Sequence, residues 1–499
     1  MDDVDALVIG SGFGGLGAAL QLAESGARVV VCERLNYPGG SGGTFTHRGV
    51  RYEAGATLAM GLDEGDIFAD VIADYGLDVR ATRLDPVIEV RDGRRTTALP
   101  AHPDGFAGVL RQLGASAFAD EVERVTTALR PLLREPDLLP PLGLHNVLTH
   151  AGRVPGYLAL VPVVGRSLAQ RLRHYGLDEP HLRHWIEPLC WISVQTGVDE
   201  AEAPFAIAAI DALLRSAHHV EGGMGALAEG LVEAVRRASG TVMLGNRVKR
   251  LRREDGRWVA QTRHGDFRAP RVFANVLPHS LPALTEGAVR SDRLARRIEG
   301  GWGAAMLYLQ VAPTDALPPG AFHLDLVDDP ALPYHGGNHV FCSVSAQGED
   351  RGAGDRRTVV VSTHMPANAD RSTVETVQRQ MAATMEQRAP ELWDAHQTRM
   401  TASPRTFERF TARVHGYVGG IPRLRGFDSY RELFGGPVAP GFHLVGDSVL
   451  LGQSTLSAFV SGARIAGAAT GTPVRMRPRA PVAPPWEPAE PSVTGSRAR

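Results

Sequence analysis

Cysteine is scarce in this chain, which has only three in 499 residues. Cys32, Cys190 and Cys342 lie far apart and form no CxxC pair, so the sequence predicts neither a disulfide framework nor a cysteine-rich metal site. Long hydrophobic runs are also missing. The longest uncharged apolar stretch, 154–165, contains two prolines and is shorter than the roughly 18 to 20 residues that cross a bilayer. No membrane span is predicted.

A surplus of positive charge is missing as well, because 53 Lys and Arg face 55 Asp and Glu. This balance gives no electrostatic drive toward nucleic acid, so no such partner is expected. The acidic start, residues 1–5, differs from the basic start of a secretory signal, so a cytoplasmic location is expected. With 43% apolar residues, the chain can bury a large core, organised as two or three domains or one interleaved pair.

A glycine-rich turn stands between a predicted strand, 4–9, and a predicted helix, 16–25. In this order the first glycine makes the tight turn, the second lets the backbone approach a pyrophosphate, and the last lets the helix pack on the sheet. The phosphate would then meet the helix N-terminus. The residues expected at the nucleotide are Gly10, Gly12, Phe13, Gly14 and Gly15.

A second strand, 28–33, ends in a carboxylate about twenty residues beyond the glycines. Glu33 is therefore expected to bond the ribose hydroxyls of an adenosine. A carboxylate at this position repels a 2′-phosphate, which favours FAD or NAD over NADP.

The following loop distinguishes FAD from NAD. Residues 34–45 and 52–57 resemble the FAD-binding amine oxidase and phytoene desaturase superfamily, in which a glycine-rich loop passes over the diphosphate and the flavin. Glycines suit such a loop because its backbone must approach a flat ring. The resemblance assigns cofactor contacts here to Arg34, Gly40, Ser41, Gly42, Gly43, Thr44, Ala56 and Thr57.

The C-terminal region resembles the second flavin motif of the same superfamily. A strand in 441–448 ends at Gly446 and Asp447, and a small-residue helix opens near 453–457. The resemblance implies that Asp447 bonds the ribityl or diphosphate region. Helix N–H groups at Ser454, Thr455 and Leu456 would face the flavin N1/C2=O edge, where a positive dipole end stabilises a reduced flavin.

The middle of the chain, 221–280, supplies the rest of the cofactor domain, with Val248 matching the position whose backbone meets the adenine. A second GxGxxG after a strand is missing, so no NAD(P)H module is expected. These features predict an α/β fold in which a Rossmann-type FAD-binding domain is interleaved with an α+β substrate domain. The predicted boundaries are 1–99, 221–280 and 431–470 for the FAD domain, 100–220 (mostly helical) and 281–430 (β-rich) for the substrate domain, and 471–499 for a disordered, proline-rich tail.

Residues 131–172 combine leucine-rich stretches with basic residues. They predict either a helix packed on the core or a segment that dips into a membrane surface, placing the protein at the inner face of the membrane. His181 and His184 have i, i+3 spacing without a third ligand, so we expect helix-surface histidines and no metal site.

The region 402–422 is similar to the late region of phytoene desaturases and, more closely, of carotenoid cis/trans isomerases. This resemblance implies an FAD-dependent oxidoreductase acting on a lipophilic polyene. A desaturase would need a quinone or oxygen to reoxidise the flavin, whereas an isomerase would start from reduced flavin and end redox-neutral. No motif separates the two. For acid or base catalysis only His47, Arg48 and Glu53 lie near the flavin loop, and each is more readily structural, so no catalytic residue is assigned.

Two alternatives of other classes remain open. The same fold occurs in prenyl-binding escort and dissociation-inhibitor proteins, which carry lipids without flavin. Intact Glu33, Gly39–Gly43 and Asp447 argue against that option. A flavin amine oxidase would need an aromatic cage, and only 6% of the residues are aromatic.

Overall fold

The structure, a computed structural model, describes residues 1–139, 144–434, 436–449 and 452–474. Its helices are α1 (Phe13–Glu24), α2 (Ile67–Asp74), α3 (Gly105–Gln112), α4 (Ser116–Arg134), α5 (Leu144–Tyr157), α6 (Leu168–His174), α7 (Pro180–Val194), α8 (Ala203–Ser216), α9 (Met224–Arg237), α10 (Leu281–Leu284), α11 (Asp292–Glu299), α12 (Arg371–Arg388), α13 (Pro390–Trp393), α14 (Pro404–Thr411) and α15 (Thr455–Thr470).

The strands occur in every third of the chain. They are β1 (Asp2–Asp3), β2 (Ala6–Ile9), β3 (Val29–Cys32), β4 (Thr44–His47), β5 (Val50–Glu53), β6 (Ala81–Arg83), β7 (Ile88–Arg91), β8 (Thr96–Leu99), β9 (His218–Val220), β10 (Thr241–Met243), β11 (Arg250–Glu254), β12 (Arg257–Gln261), β13 (Asp266–Ala269), β14 (Val272–Ala274), β15 (Gly303–Val311), β16 (Phe322–Val327), β17 (His339–Val344), β18 (Arg357–Met365), β19 (His396–Ala402) and β20 (Phe442–Leu444).

A parallel sheet, with described strands in the order β10-β3-β2-β14-β20, forms the centre of the first part of the molecule. Strands β2 and β3 are apolar throughout and fully buried, because both faces of a parallel sheet are covered. Helices α1, α9 and α15 pack together on one face, and β11–β13 cover the other. The predicted α/β class with a Rossmann-type domain is confirmed. Helix α1 starts at Phe13, three residues before the predicted start.

A second sheet, with described order β19-β15-β18-β17-β16-β7-β8, forms the β-rich part of the other half. Its neighbours pair antiparallel except for β16 and β7. One face packs against α12 through a core that includes Leu307, Val361 and Met381. Strands β7 and β8 fall inside 1–99, the predicted first FAD segment, so the first crossover between the two parts precedes Ile88 rather than residue 99.

The first residues of the predicted tail, up to Val474, pack against the rest of the protein. The Gln21 side chain donates to the Pro473 carbonyl at 2.8 Å, and the Val474 N–H donates to the Asp137 carboxylate at 3.1 Å. The predicted disorder of the tail otherwise concerns 475–499, which lie outside the described residues. Across the described ranges, no helix is both long enough and apolar enough to cross a bilayer.

Candidate functional site

A cavity of about 1020 Å³ brings together the two ends of the chain and both sheets. Its size is at the upper limit of ordinary ligand pockets. Most residues predicted at the cofactor line it, and these are Gly10, Gly12, Phe13, Gly14, Glu33, Arg34, Gly40, Ser41, Gly42, Ala56, Thr57, Val248, Asp447, Ser454, Thr455 and Leu456. Gly15, Gly43, Thr44 and Gly446 are not among its lining residues, and the local geometry gives each a different task.

The glycine turn between β2 and α1 depends on close backbone approach. Gly10 adopts φ +90°, a left-handed conformation that glycine tolerates best. A Cβ on Gly15 would lie 1.9 Å from the Gly10 carbonyl oxygen, and one on Gly14 would lie 2.4 Å from the Cα of Gly446. Gly15 and Gly446 therefore act by allowing this packing. The turn places the start of α1, with Gly12, Phe13 and Gly14, in the lining of the cavity, and a helix N-terminus suits a diphosphate.

The Glu33 carboxylate stabilises the glycine turn by accepting hydrogen bonds and can still accept one more. Its Oε2 accepts the backbone N–H of Ser11 at 2.8 Å and the Ser11 hydroxyl at 3.0 Å, and its Oε1 accepts the Leu35 N–H at 2.8 Å. A carboxylate has about four acceptor sites, so one remains for a donor such as a ribose hydroxyl. Arg34 lines the cavity beside this carboxylate, and burial lowers the pKa of its guanidinium, helped by the nearby charge of Arg247.

Within the two motifs assigned to the flavin, three hydroxyl oxygens in the cavity wall are buried without a hydrogen-bond partner among the described residues. They belong to Ser41, Thr57 and Thr455, which come from the two motifs assigned to the flavin. Because buried polar groups are nearly always paired, these oxygens indicate a ligand with polar edges at this end of the cavity. The residues therefore fit a flavin nucleotide.

Thr44 and Gly43 support the loop through contacts within the protein. The Thr44 hydroxyl accepts the Gly225 N–H at 2.9 Å, which ties the loop to the start of α9. A Cβ on Gly43 would lie 2.6 Å from the Pro38 carbonyl oxygen. Their predicted contact with the cofactor is not seen in the lining of the cavity.

Asp447 has a partner that the sequence did not indicate. Arg413 donates to its carboxylate at 2.8 and 3.4 Å, and both side chains line the cavity. The only sequence signal for this ion pair is that Arg413 lies within 402–422, the region that resembles the desaturases and isomerases. At the start of α15, the Ser454 hydroxyl accepts the Ser457 N–H at 3.0 Å, and the residues of this first turn line the cavity.

The three acid or base candidates named from sequence lie away from the cavity. His47 and Arg48 are exposed at the β4–β5 turn. Glu53 is buried, accepts the Met224 N–H at 3.1 Å and pairs with Arg351 at 3.1 Å, which makes it structural.

The predicted surface position is correct for His181 but wrong for His184. The His184 ring is buried and bonds Asp92 at 2.8 Å. No group of three or more potential metal ligands occurs within the part of the chain that the structure describes.

Beyond the cofactor motifs the cavity continues as an apolar arm between the helical segment and the second sheet. Helices α4 and α8 and the turn after α5 form this arm, and the two helices also contribute the charged residues Arg130, Asp211 and Arg215 to the lining. Its apolar lining includes Leu129, Leu132, Leu138, Leu139, Leu160, Val164, Ile192, Ala209 and Leu213.

The sheet contributes a different wall. On this wall, strands β15, β17 and β18 present Ala304, Met306, His339, Phe341, Ser362 and His364 to the cavity. The two histidines were not singled out from the sequence, because histidine in a buried strand carries no local signal of the face it occupies.

Residues 8–75 match the family model described as an NAD(P)-binding Rossmann-like domain. Among curated relatives, the neurosporene-forming phytoene desaturase of Cereibacter sphaeroides is 37% identical over 24% of this chain and 21% of that protein. The phytoene dehydrogenase of Streptomyces griseus is 29% identical over 51% of this chain and 50% of its own length. The chain thus spans half or less of these relatives. The chloroplastic prolycopene isomerase of Arabidopsis thaliana is 25% identical over 92% of this chain and 81% of that protein.

Solved structures extend the likeness of the fold over nearly the whole chain. An oxidoreductase from Methanosarcina mazei has a TM-score of 0.59 at 16% identity and covers 92% of this chain and 98% of its own. A triple mutant of putrescine oxidase has a TM-score of 0.60 at 14% identity, with 94% and 99% covered. A fatty acid isomerase from P. acnes has 0.57 at 14% identity, with 92% and 97% covered. At these identities the likeness shows the fold alone.

The resemblance inferred from the two flavin-type motifs is confirmed by these relatives. The chain carries an NAD(P)-binding Rossmann-like domain and is homologous to proteins named phytoene desaturase and prolycopene isomerase.

Proposed function

We propose that this chain is an FAD-dependent enzyme that acts on a lipophilic, carotenoid-like polyene, either by desaturation or by redox-neutral cis/trans isomerisation. The observation that carries the proposal is that one cavity is lined both by residues of the two nucleotide motifs and by apolar residues of the helical segment. Relatives named as desaturases and as an isomerase support both reactions.

The nucleotide end would hold FAD by complementary groups. Glu33 would accept the ribose hydroxyls, the first turn of α1 would meet the diphosphate, and the unpaired Ser41, Thr57 and Thr455 hydroxyls would face polar edges of the cofactor. When bound, FAD supplies reversible acceptance of a hydride. The protein contributes binding, orientation and exclusion of water.

The first prediction distinguishes the two reactions. Purified protein should show a flavin absorbance spectrum and should convert a cis-polyene under anaerobic conditions. Product from oxidised protein only, with bleaching of the flavin, indicates desaturation and requires a quinone or oxygen for turnover. Product from dithionite-reduced protein only, without net electron transfer, indicates isomerisation.

Other outcomes contradict the proposal. Protein that is colourless and cannot be reconstituted with FAD, yet binds a prenyl lipid, would indicate a lipid carrier. Oxidation of an amine with release of peroxide, and no action on polyenes, would indicate an amine oxidase.

Membrane contact is a second part of the proposal. Leu148, Leu158 and Val161 are 75%, 64% and 70% exposed along α5 and the turn that follows it. Tyr157 and Leu160, in the same segment, line the cavity. A lipid-soluble substrate could therefore pass from the acyl layer into the apolar arm without crossing water.

The second prediction tests this contact. The double variant L158D/V161D should lower binding to phosphatidylcholine/phosphatidylglycerol vesicles at least ~10-fold in co-sedimentation, because each apolar side chain contributes about 1.5 to 3 kcal/mol when buried. Leu332, 53% exposed on the connection between β16 and β17, provides the matched control L332D. Equal binding by wild type, L158D/V161D and L332D would contradict membrane docking through this segment.

A further inference from the structure

The cavity wall formed by the second sheet contains a buried histidine–carboxylate pair. The Nε2 of His339 on β17 lies 2.6 Å from Oδ1 of Asp325 on β16. Both residues are buried, at 2% and 0% exposure, and His339 lines the cavity. Burying such a pair beside an apolar arm is costly unless its groups are used or fully bonded. The Asp325 Oδ2 has no hydrogen-bond partner among the residues described.

The pair shares a wall of the cavity with Phe341, which connects through His323 to the loop assigned to the cofactor. Phe341, two positions along β17, also lines the cavity, and its ring stacks against that of His323 at 5.6 Å. The His323 ring is adjacent to the backbone of Thr57 in the glycine-rich loop. Since alternate residues of a strand share a face, His339 lies about 7 Å along the same face from Phe341.

The geometry fixes which nitrogen of His339 can exchange a proton. Asp325 accepts the Nε2–H, so Nδ1 is the nitrogen that carries the lone pair. This is the arrangement in which a carboxylate orients a histidine base and stabilises its protonated form.

Three other ionisable groups, His335, His364 and Tyr334, lie on neighbouring elements around this pair. His364 on β18 lies in the same wall, and burial, with the charges of His339 and His335, lowers its pKa to about 3, which keeps it neutral. Tyr334 lies 5.7 Å from the His339 ring, and burial raises its phenol pKa, helped by nearby carboxylates that include Asp325. These neighbours do not compete for the proton near neutral pH.

We propose that His339 is a catalytic residue that exchanges a proton with the polyene and that Asp325 is its positioning residue; this rests on the proposed function. In desaturation, a bound oxidised flavin would supply the acceptor for a hydride from one carbon. The adjacent carbon gives its proton to Nδ1 of His339, and the electrons of that C–H bond form the new double bond. In isomerisation, protonated His339 lends its proton to one carbon of a double bond, and the negative charge of a bound reduced flavin would stabilise the cation that forms at the other carbon. The substrate rotates about the resulting single bond, and the proton returns with no net electron transfer.

The third prediction uses H339A and H339N in the full chain loaded with FAD. Both should retain wild-type flavin content but lose about 100-fold or more of the conversion rate, in line with the usual contribution of a general base. Exogenous imidazole should restore part of the rate in H339A, which a purely structural role would not allow. His396 on β19 bonds the Trp393 carbonyl away from the cavity, so H396A is the matched control and should convert substrate at the wild-type rate.

A second readout needs no turnover. Nitrogen-15 NMR of the histidine rings in the chain without cofactor should show His339 as the Nε2–H tautomer, and D325N should shift that population toward Nδ1–H. If H339A or H339N converts the polyene as fast as the wild type does, the proton transfer is overturned and the proposed function stands. The same holds if D325N leaves the tautomer of His339 unchanged. A wild-type chain that binds FAD but converts no polyene overturns both.

Discussion

Replacing Glu33 with alanine should strip the protein of FAD and also weaken the apoprotein. The carboxylate accepts N–H groups from Ser11 and Leu35 at 2.8 Å, and Ser11 is fully buried. Losing the acceptor leaves these donors unpaired, which costs about 1 to 3 kcal/mol of folding free energy. Losing the bond to the ribose hydroxyls removes about 1.5 to 3 kcal/mol of cofactor binding, or roughly a 10- to 100-fold rise in Kd.

Two measurements separate these effects. Flavin content after extensive dialysis, followed by reconstitution with FAD, reports binding, and thermal melting of the apoprotein reports folding. E33Q keeps one carbonyl oxygen as an acceptor and should melt between wild type and E33A. Glu229 is exposed on α9 in the same domain, so E229A should behave as wild type in both assays. Full flavin content in dialysed E33A would show that the ribose assignment is mistaken.

The nucleotide end of the cavity could be predicted because its signals are local. A tight turn with φ +90° at Gly10 and a carboxylate at the end of the next strand are fixed by chemistry within about 25 residues. The start of α15 was located within two residues, since a serine cap and a run of small residues specify it.

The sequence could not predict which residues of the second sheet line the cavity, and the reason is physical. The sequence predicts a β-rich segment over 281–430, yet the face that His339 presents depends on the register of β17 with β16 and β18. A shift of one residue would turn His339 away from the cavity. Glu53 has the structural role that was expected of it, but its partner Arg351 could not be foreseen because it lies 298 residues away.

The close contact between α1 and α15 also joins residues that are far apart in the sequence, and a substitution at this contact should have a large effect. A Cβ on Gly462 of α15 would lie 1.8 Å from the Gly14 carbonyl oxygen and 2.9 Å from the Ala18 nitrogen. These atoms belong to backbone, which cannot move aside as a flexible side chain can. G462A should therefore push α1 away from α15 and displace the phosphate-facing turn.

Alanine is the better helix former by about 1 kcal/mol, but overpacking a tight core costs about 1 to 3 kcal/mol or more, and a backbone clash lies at the upper end. We expect G462A to lower the apparent melting temperature by at least about 5 °C and to lose FAD during purification. Gly152 of α5 is exposed, and a Cβ there would meet no described atom within 4 Å, so G152A is the matched control and should melt at or slightly above the wild-type temperature. If G462A melts at the wild-type temperature and keeps its flavin, the backbones of α1 and α15 are not in contact where they cross. The placement of the N-terminal and C-terminal motifs on one cofactor would then lose its structural basis.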